Sequence, residues 1–77
     1  MYSVRRNDDV VALFMEETDA ETFREWKVAE YEEEVMEQRT LEYLRISGET
    51  DVGNAQFSML ADVAKIEAEK AYVVVEV

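Results

Sequence analysis

Carboxylates are the only plentiful reactive side chains in this chain. Nineteen Asp and Glu residues stand against eight Lys and Arg residues, and His and Cys are both absent. Without His, the usual general base near neutral pH and the commonest metal ligand are missing. Without Cys, the chain has no disulfide and no thiolate metal site. Any chemistry must therefore come from carboxylates, which can bind hard cations, act as paired acids or attract positively charged surfaces.

Two carboxylate pairs have a spacing that could hold a hard cation. Glu30 with Glu34, and Glu33 with Glu37, are four residues apart, so each pair would lie on one helix face and could share Ca²⁺ or Mg²⁺. Di-iron helical bundles add a His to such pairs, and this chain has none. The glycine-containing loop after these residues lacks the alternating ligand spacing of a calcium-binding loop. We predict no metal site and no cofactor.

Catalysis by paired acids is the second option, and the sequence disfavours it. Glycoside hydrolysis uses two carboxyl groups that flank the scissile bond in a deep pocket, which 77 residues can hardly provide. Ser3, Ser47 and Ser58 have no His to activate them, and no glycine-rich phosphate loop is present. We predict that the protein is not an enzyme.

The carboxylates are concentrated in one long segment, Thr18–Ser47, which is predicted to be a helix. The segment contains neither Gly nor Pro, and Gly48 follows it as a residue suited to ending a helix. Thr18 and Glu21 have the spacing of a capping box, in which each side chain accepts a hydrogen bond from the backbone N–H of the other. The sequence therefore predicts that the helix starts at Thr18.

Large apolar residues recur along this helix at roughly helical spacing, so one side should pack on a core. They are Phe23, Trp26, Tyr31, Val35, Leu41 and Leu44. We interpret Trp26 and Tyr31 as core or core-edge residues. Tyr43 lies beside Glu42 and away from the Leu41 and Leu44 positions, so it is the better candidate for an exposed aromatic anchor in an interface.

The other side of the helix carries the charge, and it is the predicted functional surface. Residues 16–37 hold ten acidic and two basic residues, a local balance of −8. Carboxylates about 5 to 6 Å apart on a helix form a row that complements a surface lined with Lys and Arg. The predicted partner-binding residues are Glu25, Glu30, Glu32, Glu33, Glu34, Glu37 and Tyr43. The alternative is that this charge only keeps the domain soluble.

The first fifteen residues favour a β-hairpin with Asn7 and Asp8 as a two-residue turn. The facing residues would be Arg6 with Asp9, Val4 with Val11 and Tyr2 with Leu13. The alternative is a helix capped at Asn7 or Asp8 that continues to Glu17, because periodicity does not separate short apolar runs.

The C-terminal third completes the predicted fold. Gly48–Asn54 is a loop, a second helix follows from Asn54 or Ala55 to Lys70, and the valine-rich segment Ala71–Val77 is a strand. We therefore predict one small acidic α+β domain, residues 1–77, in which the N-terminal hairpin and the C-terminal strand form an antiparallel sheet packed on a helical hairpin. An all-α three-helix bundle is the alternative.

The net charge of −11 limits the kinds of molecule that the protein can bind. It repels nucleic acid and anionic lipid, so we expect no direct nucleic-acid binding and no membrane association, and a cytoplasmic location. In charge alone the chain resembles nucleic-acid mimics and host-takeover proteins of viruses, and no site follows from that. We predict a non-enzymatic protein that docks on a basic surface of a larger protein, as an inhibitor or nucleic-acid mimic acting on a nucleic-acid-handling partner. The alternative is an assembly subunit or homo-oligomer, because the core is small.

Overall fold

The computed structural model describes residues 1–77 and contains three strands and two helices. In chain order these are β1 Tyr2–Arg6, β2 Asp9–Phe14, α1 Glu17–Ser47, α2 Asn54–Ala71 and β3 Tyr72–Glu76. The predicted α+β class is confirmed, and the alternative three-helix bundle is wrong because residues 2–14 form two strands. The helices form a hairpin that packs against one face of the sheet.

The sheet is antiparallel with the order β2-β1-β3, so β1 is its central strand. The turn between β1 and β2 is at Asn7 and Asp8, as predicted, and Asn7 has a positive φ of 57°. Asn tolerates this left-handed conformation better than most residues. Arg6 faces Asp9 across the turn, which confirms the predicted register at this end.

The predicted register is wrong beyond that end, because β2 contains a bulge. The register shifts between Val4 and Arg5, so that Val4 faces Ala12 and Tyr2 faces Phe14. The additional residue in β2 moves every later side chain to the opposite face of the sheet. Phe14 is thereby directed at α1, where its ring centre lies 5.4 Å from that of Phe23.

The predicted capping box is also wrong. Helix α1 begins at Glu17, and its N-cap residue Glu16 makes no side-chain capping hydrogen bond. Thr18 already lies inside the first turn, where its carbonyl accepts a hydrogen bond from the Thr22 hydroxyl at 2.9 Å. Only two residues separate β2 from α1, so the helix starts directly after the sheet. The acidic residues of the first turn, Glu17 and Asp19, favour this start through the helix dipole.

Helix α1 ends at Gly48, as predicted, and the role of Gly48 in ending the helix can be tested by substitution. Gly48 has φ 73°, and its N–H donates to the Leu44 carbonyl at 3.0 Å. Replacing Gly48 with Ala should lower the free energy of unfolding by about 1 kcal/mol, because a side chain disfavours left-handed backbone. Space is not the cause, since a Cβ at Gly48 would meet no atom within 4 Å.

Gly53 provides the matched control for this prediction. It has φ −67°, and a Cβ there would also meet no atom within 4 Å. Gly53 is the N-cap residue of α2, where Ala is less favourable than Gly, so Gly53→Ala should lower the free energy of unfolding by about 0.5 kcal/mol, less than Gly48→Ala. Chemical denaturation of both variants measures the difference, and equal stabilities would contradict the assigned role of Gly48.

Small residues allow the layers to approach closely. The buried apolar residues are Val4, Ala20, Val35, Ala64, Ala68 and Tyr72. Arg24 links α1 to the junction of α2 and β3. Its guanidinium donates hydrogen bonds to the backbone carbonyls of Glu69 and Tyr72, both at 2.8 Å. The sheet and the helical hairpin are thus held at a fixed relative position.

Candidate protein-binding surface on helix α1

Two adjoining shallow depressions run along α1 on its solvent side. The first is lined by Trp26, Ala29, Glu30, Glu32, Glu33 and Met36. The second shares Glu33 and Met36 with it and adds Glu37, Thr40 and Leu41. Together these nine residues form what we call the α1 groove, which extends over about 22 Å at a rise of about 1.5 Å per residue.

Helix geometry explains why this side is open. Trp26, Glu33 and Thr40 are seven residues apart and therefore lie almost in line along the helix. Successive residues turn by about 100°, which places Glu33 about 160° around the helix from the buried Val35. The α1 groove is thus on the side of α1 that faces away from the core.

The structure brings together four of the seven predicted site residues. Glu30, Glu32, Glu33 and Glu37 line the α1 groove, together with apolar residues. Glu25 and Glu34 are exposed on α1 outside the groove. The α1 groove thus contains part of the predicted acidic face together with apolar residues, and the rest of that face is exposed beside it.

Tyr43, the seventh predicted residue, does not line the groove either. It is half-buried, and its hydroxyl donates to a carboxylate oxygen of Glu49 at 3.1 Å. Desolvation by burial raises the pKa of Tyr43, and the hydrogen bond to Glu49 raises it further. Tyr43 thus links the end of α1 to the following loop through a hydrogen bond, and its side chain is not free in solvent.

The position of Trp26 differs from the sequence prediction. It was predicted to be core or core-edge, but 61% of its surface is exposed. Phe23 packs against the core cluster, and Trp26 meets Phe23 in an edge-to-face arrangement with ring centres 5.9 Å apart. The prediction for Tyr31 is confirmed, since Tyr31 is half-buried and packs against the core. The seven-residue spacing of Trp26 and Glu33 was the signal that could have placed Trp26 on the acidic side.

The carboxylates of the α1 groove are largely unneutralised within the molecule. Lys27 approaches Glu30 at 3.9 Å, whereas Glu32, Glu33 and Glu37 form no ion pair. The other ion pair, Arg39 with Glu67 at 2.7 Å, joins α1 to α2 and raises the pKa of Arg39. The groove therefore presents negative charge to solvent.

The N-terminal arginines are occupied elsewhere. The Arg5 Nε donates to the Ser3 hydroxyl at 3.1 Å, on the strand β1. The guanidinium of Arg6 lies 4.7 Å from the ring centre of Tyr31 and 5.8 Å from that of Tyr72. Neither side chain forms an ion pair with a groove carboxylate.

The indole of Trp26 already has a cation close to it. The Lys27 ammonium lies 4.8 Å from the ring centre, within the range of a cation–π interaction. An exposed indole next to free carboxylates provides two attractions for a cationic side chain, one through its charge and one through its flat face. This combination suits recognition of Arg or Lys from another molecule.

Comparison of the chain with protein-family models, curated proteins and solved structures found no match. Neither helix contains a stretch that is long and apolar enough to cross a membrane.

Proposed function

We propose that this protein is a non-enzymatic binding protein whose α1 groove docks on a basic surface of a larger protein. One observation carries the proposal: Trp26, 61% exposed, lines the same shallow groove as Glu32 and Glu33, whose carboxylates form no ion pair. A surface that served solubility alone would have no use for an exposed Trp at this position, because exposed apolar area favours association.

The chemistry of the groove favours Arg over other side chains of a partner. A guanidinium can donate two parallel N–H hydrogen bonds to the two oxygens of one carboxylate, and its flat face can stack on an indole. Trp is also among the residues most enriched at binding hot spots. Met36 and Leu41 add apolar contact that could cover the aliphatic stems of Arg or Lys.

Occupation of a phosphate-binding surface is the mode of action that this geometry supports. The partner is then a nucleic-acid-handling protein, because such proteins place Arg and Lys along a groove that follows the phosphate backbone. A row of carboxylates on a rigid helix offers the same sign of charge as nucleic acid. The protein would inhibit its partner by competing with nucleic acid for that groove.

Salt dependence tests the proposal. The protein is immobilised, exposed to nuclease-treated cell extract at low salt, and eluted with rising salt concentration. Binding through the α1 groove should weaken as salt rises, because salt screens charges that remain near the surface. The proteins eluted should be basic and should lose nucleic-acid binding when mixed with this protein. Retention that is unchanged from low to high salt would contradict the proposal.

A further inference from the structure

Three side chains of α1 surround the ammonium group of Lys27, and we call these three the cation site: Phe23, Trp26 and Glu30. The ammonium nitrogen lies 4.8 Å from the ring centre of Trp26, 5.6 Å from that of Phe23 and 3.9 Å from a carboxylate oxygen of Glu30. Both ring distances are within the range of a cation–π interaction, which extends to about 6 Å. Three groups that attract positive charge therefore converge on one point, at the N-terminal end of the α1 groove.

Helix geometry and core packing build the cation site. Its members are three and four residues apart, the spacing at which side chains on a helix are neighbours. The rings of Phe23 and Trp26 meet at an interplanar angle of 78°, so they form a corner and not a stack. Phe23 packs against the core cluster and lies 5.4 Å from Phe14 between ring centres. One wall of the corner is thus held in place by the core.

Lys27 is held only weakly in this site. Its distance of 3.9 Å to Glu30 is longer than the hydrogen bond between an ammonium group and a carboxylate, which measures about 2.7 to 2.9 Å. The side chain of Lys27 is 29% exposed and that of Glu30 is 58% exposed, and ion pairs in contact with solvent contribute little to stability. A cation from another molecule can therefore displace Lys27 with little loss of stability.

A guanidinium group suits the cation site better than the ammonium group of Lys27. It is flat, so it can stack on the indole of Trp26 and donate two N–H groups to the carboxylate of Glu30. It is also more weakly hydrated than an ammonium group, so less hydration is lost when it contacts the two rings. Trp26 and Glu30 also line the α1 groove. A ligand that lies along the groove can thus place one Arg side chain in the site.

We propose that the cation site binds one Arg side chain of the partner and that Lys27 fills this site in the free protein. Lys27 is then an internal competitor. The partner's Arg must displace it from Trp26 and Glu30, which lowers the affinity of the α1 groove. This inference rests on the proposed function, since it identifies the side chain that is recognised at one end of that groove.

Lys27→Ala empties the cation site, and Lys65→Ala is its matched control. Lys65 is exposed on α2 and forms no ion pair, and each substitution changes the net charge from −11 to −12. Ala is the best helix former, so both variants should keep the circular dichroism spectrum of the wild type.

Titration with a peptide of six arginines tests the competition. The fluorescence of Trp26, the one Trp in the chain, reports binding. The peptide should bind Lys27→Ala at least about threefold more tightly than wild type, because a cation–π contact no longer competes with it. Lys65→Ala should change the affinity by less than about 1.5-fold, because salt screens distant charges. Equal gains in the two variants, or no binding of the peptide to any of the three proteins, would overturn the proposal.

A peptide of six lysines tests the preference for Arg. It should bind Lys27→Ala at least about threefold more weakly than six arginines do, because an ammonium group can neither stack on the indole nor form two parallel hydrogen bonds with Glu30. Equal affinity for the two peptides would overturn the assignment of the site to Arg.

Quenching of Trp26 fluorescence by caesium ions tests the position of Lys27 without any partner. Lys27 keeps small cations away from the indole, so Lys27→Ala should raise quenching by caesium at least about twofold relative to quenching by neutral acrylamide. Lys65→Ala should leave this ratio unchanged. A ratio that Lys27→Ala also leaves unchanged would overturn the proposal, even if the protein retains a basic partner. A raised ratio and tighter binding of six arginines would support the cation site even if no basic protein were retained from extract, a result that would contradict only the proposed function.

Discussion

Replacing Ala20 with Leu should lower the free energy of unfolding by about 1 to 3 kcal/mol. Ala20 is completely buried and lies in the cluster formed with Val4 and Tyr72, where α1 comes closest to the sheet. Three additional carbon atoms would force these neighbours apart, because protein interiors have little free volume. In a domain of this size the net stability is itself only a few kcal/mol, so a large fraction of the molecules should unfold.

Ala29→Leu is the control for this prediction, because it makes the same substitution in the same helix. Ala29 is exposed and lines the α1 groove, so the change should alter stability by no more than about 0.5 kcal/mol. Urea denaturation followed by circular dichroism measures both variants. If the two have the same midpoint, α1 does not pack on the sheet at Ala20 as described.

Replacing Trp26 with Ala should reduce affinity for the basic partner at least about thirtyfold, the loss expected when a hot-spot residue is truncated. The indole is the largest apolar surface in the α1 groove and the only aromatic ring there. Folding should be almost unaffected, because Trp26 is 61% exposed and its ring interacts only with Phe23 and with the ammonium of Lys27. Titration of the isolated partner gives the affinity.

Phe57→Ala is the corresponding control. Phe57 is 55% exposed on α2, outside the α1 groove, so its loss removes a comparable exposed aromatic ring. Its affinity should equal that of the wild type. A Trp26→Ala variant that binds as well as Phe57→Ala would show that the indole is not part of the contact.

Local signals predicted most of the fold. Asn7 and Asp8 indicated a turn and Gly48 indicated a helix end, because each of these residues suits a backbone conformation that few others adopt. The run of valines after Ala71 indicated a strand through its β-branched side chains. These features depend on residues close together in the chain, so no knowledge of the tertiary structure was required.

The features that could not be predicted depend on contacts between distant segments. The bulge in β2 has no distinctive residue, and it turns Phe14 toward Phe23 nine residues later on α1. The start of α1 at Glu17 follows from the position where the sheet ends, and this outweighed the capping box expected at Thr18. Both corrections reflect packing that overrides a local preference.

The acidic residues of the candidate site were predicted from the sequence, whereas its apolar residue Trp26 was not. The density of Glu residues led to the prediction of Glu30, Glu32, Glu33 and Glu37, which line the α1 groove. Trp26 was predicted to pack because a Trp at helical spacing usually does, and its seven-residue spacing from Glu33 was the one sequence signal for its 61% exposure. The sequence also gave no sign that Arg5 and Arg6 would be held away from the acidic groove.

The most direct measurement compares two triple variants that lose the same charge from the same helix. One replaces Glu32, Glu33 and Glu37, which line the α1 groove, with Gln. The other replaces Glu21, Glu25 and Glu34, which are exposed on α1 outside the groove, with Gln. Each changes the net charge from −11 to −8. Partner binding at low salt should be lost in the first variant and retained in the second, whereas an equal loss in both would contradict the assignment of binding to the α1 groove.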